Sequence, residues 1–246
     1  MTLSIDDLTE RDIAKAIDHS LLRPELDDAF VEEGCRLAAE YDVASVCVRP
    51  ADVARARAIL DGTDVKVGTV IGFPHGNHRT ETKVFEAHRA LAEGATELDM
   101  VIQIGALKSG RDADVQADIA AVVDIAHASG AIVKVIFENA YLTDDEKIRA
   151  CRLSEAAGAD FVKTSTGFAA GGATHDDLRL MRANTSPHIQ VKAAGGVRTL
   201  DALLEVMALG TTRIGATATK AIIDDFRARK AGAAPVAAAA TREGGY

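Results

Sequence analysis

Phe161-Val162-Lys163-Thr164-Ser165-Thr166-Gly167-Phe168 is a run of strand-forming residues with a lysine in its middle and a glycine near its end. β-branched and aromatic residues favour strands, and a strand of this kind belongs in a core, where a lysine almost never goes without a partner or a task. Beyond it, Thr174 and Asp177 are spaced as the N-cap and first turn of a helix. A second strand-like run follows, Ile189-Gln190-Val191-Lys192-Ala193-Ala194, which also carries a lysine and ends in Gly195-Gly196. Strand, glycine turn, capped helix and strand again make one unit of a parallel sheet.

The same unit recurs along the chain. Strands are expected to begin near residues 17, 45, 66, 95, 133, 161, 189 and 212, roughly 28 residues apart on average, which is one β-loop-α-loop repeat. Helical periodicity covers 8–16, 26–41, 51–60, 80–93, 112–129, 143–157, a stretch from 174, 199–209, and a last stretch to about 229. Thr9 with Asp12 and Thr143 with Glu146 read as capping boxes, and Gly94, Gly130, Gly158 and Gly210 close their helices. Strands apolar on both faces, each followed by an amphipathic helix, mean a parallel sheet covered by helices. Eight such units predict an α/β fold of the (β/α)8 TIM-barrel type, with a short N-terminal helix. An open doubly wound sheet is the rival, but no Gly-x-Gly-x-x-Gly follows the first strand. The barrel domain is expected over 1–230, with an Ala-rich, mobile C-terminal tail over 231–246.

Composition narrows the function. The 246 residues are 48% hydrophobic and 26% charged, with no Trp. The formal net charge is −9 and no segment is strongly basic, which argues against binding nucleic acid or an anionic membrane. Cys35, Cys47 and Cys151 are too scattered for a metal motif, and their odd number suits a reducing compartment. The N-terminus is polar and acidic, and no apolar run approaches the roughly 18 residues of a membrane span. These features predict a cytoplasmic protein.

Side chains alternate along a strand, so Phe161, Lys163 and Ser165 share one face, as do Gln190, Lys192 and Ala194. Lys163 stands four residues before Gly167 and Lys192 three before Gly195, which puts the two lysines at nearly equal depth on neighbouring strands. Asp99 in the fourth strand is expected at similar depth, the fifth strand offers Lys134 and Glu138, and the first offers Asp18. A lysine normally titrates near 10.4, but burial and a second ammonium both favour its neutral form, and a neutral amine attacks carbonyls. Such a site forms a Schiff base, and Asp99 is placed to transfer the proton that the adjacent carbon gives up. The alternative is purely structural, with Asp18 and Glu138 neutralising Lys134 or Lys192. Gly167, Gly171-Gly172, Gly195-Gly196 and Gly215-Ala216-Thr217 follow the last three strands, where barrel loops hold phosphate through backbone N–H groups. His75 and His78 share a loop without a third ligand, so no metal is expected, and Cys47 reads as a packed small residue.

Val162-Lys163-Thr164-Ser165-Thr166-Gly167-Phe168, Val191-Lys192-Ala193-Ala194-Gly195-Gly196-Val197-Arg198 and Glu97-Leu98-Asp99-Met100-Val101 closely resemble the deoxyribose-phosphate aldolase family. The likeness extends to Ile17-Asp18-His19, Gly72-Phe73-Pro74, Lys134-Val135-Ile136 and Arg213-Ile214-Gly215, and covers about 10 to 225. It implies a metal-independent, cofactor-free class I aldolase that reversibly cleaves 2-deoxy-D-ribose 5-phosphate to acetaldehyde and D-glyceraldehyde 3-phosphate. By resemblance Lys163 forms the Schiff base, Lys192 perturbs it, and Asp99 moves protons. Asp18, Lys134, Thr166, Gly167, Gly195, Gly196, Gly215 and Thr217 would bind the phosphosugar. The chain departs from the family in carrying Ala216-Thr217-Ala218-Thr219 where serines are frequent. Some members end in a tyrosine, as this chain does at Tyr246, and such a tail can fold over the pocket. A homo-oligomer is expected, a dimer first. The rival readings are another Schiff-base phosphosugar aldolase and a non-catalytic phosphometabolite-binding barrel.

Overall fold

The computed structural model describes residues 3–234. Tyr246 and most of the Ala-rich stretch lie outside them. Eight parallel strands close into a barrel in chain order. They are β1 (Ile17–Leu21), β2 (Ser45–Val48), β3 (Lys66–Ile71), β4 (Glu97–Val101), β5 (Ile132–Ile136), β6 (Phe161–Lys163), β7 (Gln190–Ala194) and β8 (Arg213–Ala216). β8 returns to pair with β1, with Asp18 opposite Gly215.

The helices form the outer ring: α1 (Glu10–Ala14), α2 (Asp28–Glu40), α3 (Val53–Ile59), α4 (Thr80–Ala92), α5 (Ile104–Lys108), α6 (Asp112–Ala128), α7 (Asp144–Ala156), α8 (His175–Ala183), α9 (Leu200–Ala208) and α10 (Thr219–Lys230). The Thr9–Asp12 and Thr143–Glu146 capping boxes are both formed. The short α5 carries no periodic signal of its own and was not anticipated. The main core lies between barrel and helices, where Val, Ile, Leu and Ala side chains from both layers interlock. Each aliphatic side chain buried there contributes roughly 1.5–3 kcal/mol.

β6 is shorter than the sequence suggests. Pairing stops at Lys163, although the β-type run continues to Thr166. Thr164 still donates its N–H to the Lys192 carbonyl at 3.2 Å and its carbonyl accepts from the Asn139 amide at 3.0 Å, and side-chain bonds are added to these beyond Lys163. Thr164 Oγ1 accepts from the Ala194 amide at 3.1 Å, and the Thr166 amide donates to the Glu138 carboxylate at 3.2 Å. The residues after the lysine are thus held by specific polar contacts at the mouth of the barrel.

Candidate active site

The barrel interior is charged where most barrels are aliphatic. In register, Asp99 stands opposite Lys134, Lys163 opposite Lys192, and Lys192 opposite Arg213. Partners in a parallel ladder point to the same face, so all of these side chains project inward. The equal depth expected for Lys163 and Lys192 is therefore a direct strand pairing.

Asp99 is the hub. Its Oδ2 accepts from Lys163 Nζ and from Lys192 Nζ, each at 2.8 Å, and its Oδ1 accepts from Lys134 Nζ at 2.8 Å. Lys134 also donates to Glu97 Oε2 at 2.6 Å. Asp18 Oδ2 lies 2.6 Å from Lys192 Nζ and 3.7 Å from Lys134 Nζ. Arg213 closes the ring, binding Asp18 through one guanidinium nitrogen and Glu97 at 2.7 Å through another. Ser45 Oγ donates to Asp18 Oδ1 at 2.7 Å. Lys134, Lys163 and Lys192 are each 1% exposed, and Asp18 and Asp99 are fully buried.

Burial alone raises a carboxyl, but around Asp99 the charges of Lys134, Lys163 and Lys192 outweigh it and hold the group well below the usual carboxylate range. Asp18 follows the same pattern: burial pushes it up, and Lys192, Lys134 and Arg213 bring it down further than burial raises it. For Lys134, burial favours loss of the proton, but Asp99, Glu97 and Asp18 overcome this and keep it firmly cationic. Lys134 is thus fixed as an ion. The network joins four cations, Lys134, Lys163, Lys192 and Arg213, to three carboxylates, Asp18, Glu97 and Asp99. Uncompensated buried charge is expensive, so the set balances when one amine is neutral. Arg213 cannot supply that neutral group, since a guanidinium stays charged.

Some expected site residues are otherwise engaged. Asp18 does neutralise Lys192. Glu138 pairs with neither Lys134 nor Lys192 in the charged ring: it sits in the left-handed region at φ 56° and accepts bonds from the Thr166 amide and hydroxyl. Thr166 Oγ1 in turn accepts from the Phe168 amide at 3.0 Å. Glu97 and Arg213 were not singled out as site residues. The i, i+2 spacing of Glu97 and Asp99, and the charge in the last strand, were the available signals.

The glycine loops gather at the ends of β6, β7 and β8. Gly167, Gly195 and Gly196 have φ of +88°, +79° and +94°, a region open mainly to glycine. A Cβ on Gly172 would meet the Gly195 carbonyl oxygen at 2.6 Å, so the loops after β6 and β7 pack backbone against backbone. Behind them, α8 and α9 are capped by Thr174 and Thr199, whereas Ala218 gives α10 no side-chain cap. The first N–H groups of α10 are therefore open to an anion at the end of β8. Gly215 lies within β8 and Thr217 is exposed just beyond it. The second threonine of that loop has another duty. Thr219 Oγ1 lies 2.9 Å from His19 Nδ1, and burial lowers that imidazole to about 4, so it is neutral. His19 thereby ties β1 to the start of α10. Phe73 and Phe168 meet edge to face at 5.2 Å, joining the loops after β3 and β6.

Among the described residues no three His, Cys, Asp or Glu side chains are arranged to hold a metal ion. Cys47 is buried, and burial raises its thiol to about 11. No helix among the described residues is long and apolar enough to cross a membrane.

The arrangement suits amine–carbonyl chemistry, and comparison with known proteins agrees. Residues 12–234 match the model of the DeoC/LacD family of aldolases. A deoxyribose-phosphate aldolase from Rhodopirellula baltica is 48% identical over 240 residues, spanning 98% of this chain and 99% of that protein. One from Alkaliphilus oremlandii is 52% identical over 220 residues, spanning 89% of this chain and 99% of that protein. The solved deoxyribose phosphate aldolase of Aeropyrum pernix, described as a tetramer, superposes with a TM-score of 0.84 at 30% identity, covering 92% of this chain and 95% of that one. The buried lysine pair thus stands in a known enzymatic setting: this chain belongs to the DeoC/LacD family of aldolases.

Proposed function

We propose that the chain reversibly cleaves 2-deoxy-D-ribose 5-phosphate to acetaldehyde and D-glyceraldehyde 3-phosphate, through a Schiff base on Lys163. The observation that carries this reading is the pair of amines, Lys163 and Lys192, sharing one oxygen of Asp99 at 2.8 Å inside the barrel. Lys163 is the member next to the β6 loop, and Lys192 is bonded to both Asp18 and Asp99. Lys192 is held by two carboxylates and Lys163 by one, which leaves Lys163 the amine freer to react.

The neutral amine of Lys163 attacks C1 of the open-chain sugar, and loss of water leaves a protonated imine. A base removes the proton of the C3 hydroxyl, the C2–C3 bond breaks, and its electrons move onto C2 to give an enamine. Glyceraldehyde 3-phosphate departs, C2 takes up a proton, and water releases acetaldehyde from the imine. Asp99, acting directly or through water, relays these protons. The iminium serves as the electron sink, so no metal or cofactor is called for. Asp18, Lys134 and Thr166 support the pocket from within the polar network. Gly167, Gly195, Gly196, Gly215 and Thr217, with the open end of α10, cradle the phosphate. A homo-oligomer, dimeric or larger, and a cytoplasmic location belong to the same reading. Three reduced, buried cysteines support that location.

The test is product formation from 2-deoxyribose 5-phosphate compared with 2-deoxyribose. Cleavage of both, strongly favouring the phosphorylated sugar, is expected. Preference for a different phosphosugar would move the chain to another Schiff-base aldolase activity, and binding without turnover would make it a phosphometabolite-binding barrel.

A further inference from the structure

β1 has two faces. Ile17 and Leu21 belong to the aliphatic shell outside the barrel, whereas Leu22 packs inside with Cys47 and Val70, with Phe73 against them. Asp18 faces inward onto Lys192. Ser20, two residues from each, shares that inner face and stands opposite Cys47 in register. It is 5% exposed, and its Oγ is buried without a hydrogen-bond partner. A buried hydroxyl left in that state is uncommon and unfavourable, and it calls for a partner. The neighbouring polar groups do not supply one: Ser45 is spent on Asp18, and Asp18 on Lys192 and Arg213. A cavity of about 230 Å³ opens beside Ser20, walled by Leu22, Leu26, Phe30 and Thr217.

Ser20 lies one inward step beyond Asp18, about 6.6 Å towards the mouth. It is on the strand next to β8, whose end leads to Thr217. The inference rests on the reaction proposed above. In that reaction C1 of the sugar is fixed at Lys163 on β6. Its phosphate, on C5, is held at the ends of β7 and β8. The C3 hydroxyl loses its proton as the bond breaks and belongs to the Asp99 side. The C4 hydroxyl is left between the reacting centre and the phosphate, on the β8–β1 side.

We infer that Ser20 is a specificity-determining residue whose Oγ hydrogen-bonds the hydroxyl on the carbon next to the phosphate-bearing carbon. That hydroxyl is at C4 of 2-deoxyribose 5-phosphate and at C2 of glyceraldehyde 3-phosphate. The ligand class it selects is an α-hydroxy aldehyde carrying a phosphate.

The experiment compares cleavage of 2-deoxyribose 5-phosphate with cleavage of its 4-deoxy analogue by the wild type, Ser20→Ala and Ser20→Thr. Ser20→Ala is expected to lose about tenfold in kcat/KM on the hydroxylated sugar, the worth of one neutral hydrogen bond, and almost nothing on the analogue. Ser20→Thr keeps the hydroxyl and retains the preference. Acetaldehyde has no such hydroxyl, so its borohydride trapping on Ser20→Ala should match the wild type, and the thermal midpoint should not fall. Equal losses on both sugars, or no loss on either, overturn the inference while leaving the aldolase intact. A wild type that neither cleaves the sugar nor traps acetaldehyde overturns both.

Discussion

The molecule buries lysines in two places, and they behave differently. Between α4 and α6, outside the barrel, Lys83 lies 2.5 Å from Asp118, and both side chains are fully buried. The pair is closed. Lys83 also donates to the Val101 carbonyl at 2.8 Å, and Asp118 accepts from Thr80 at 2.8 Å and Gln103 at 3.1 Å. Packing around it is tight: Gly72, at φ +62°, would place a Cβ 2.7 Å from Lys83 Cε. Inside the barrel the ratio is different, since one oxygen of Asp99 serves two amines and the network holds more cations than carboxylates. A buried lysine alone therefore does not mark chemistry. A lysine matched one to one with a saturated carboxylate joins elements together, whereas a set with more cations than carboxylates leaves one amine able to become a nucleophile.

The sharpest way to break this distinction is to exchange the two roles. Lys163→Arg keeps a cation and removes the amine that forms the imine; kcat should fall by at least about a thousandfold with the fold intact. Lys83→Met should do the reverse. It strands the Asp118 carboxylate and should cost about 3–5 kcal/mol in urea unfolding, while the folded fraction keeps its kcat. Adding Asp118→Leu should recover much of that loss, because no charge is then left uncompensated. Retained turnover in Lys163→Arg, or an unchanged urea midpoint in Lys83→Met, would contradict the assignment.

Lys192→Leu should be milder than loss of Lys163. It removes a partner of Asp18 and Asp99 but keeps the amine that forms the imine, so kcat should fall while acetaldehyde is still trapped on Lys163, and an unchanged kcat would take Lys192 out of its role. Acid stability separates the regions further. Asp18 and Asp99 have folded values below their unfolded ones, so the stability they confer is complete above about pH 5 and is lost as pH falls through the folded values. The urea midpoint should accordingly drop between pH 5 and pH 3. A surface pair sets the scale at the low end. Arg36→Ala breaks the exposed contact with Glu32 at 2.9 Å and should change stability by less than about 0.5 kcal/mol.

Much of this was legible in the sequence because the signals were periodic. The eight strands and the capped helices follow from alternation, glycine stops and Thr-x-x-acid spacing. The depth of Lys163 and Lys192 follows from their distances to glycine. What was illegible depends on closure of the barrel. Arg213 meets Asp18 only because β8 returns to β1, and Glu97 joins Lys134 only through the β4–β5 register. Lys83 reads as one more polar residue of an amphipathic helix, since its partner Asp118 belongs to a helix that spacing does not connect to it. The contact of Thr219 with His19 runs between β1 and α10, and no local pattern encodes it. The end of β6 was placed too late because propensity cannot show that the Thr166 amide is taken by the Glu138 side chain while the Thr164 hydroxyl bonds the Ala194 amide.

The central claim is that the shared carboxylate leaves Lys163 as the reactive amine. Incubation with acetaldehyde and sodium borohydride, followed by digestion and mass spectrometry, tests it most directly. The account predicts N-ethyl-lysine at Lys163, with Lys83, Lys134 and Lys192 unmodified. Label on Lys192 or Lys83, or no label at all, would contradict it.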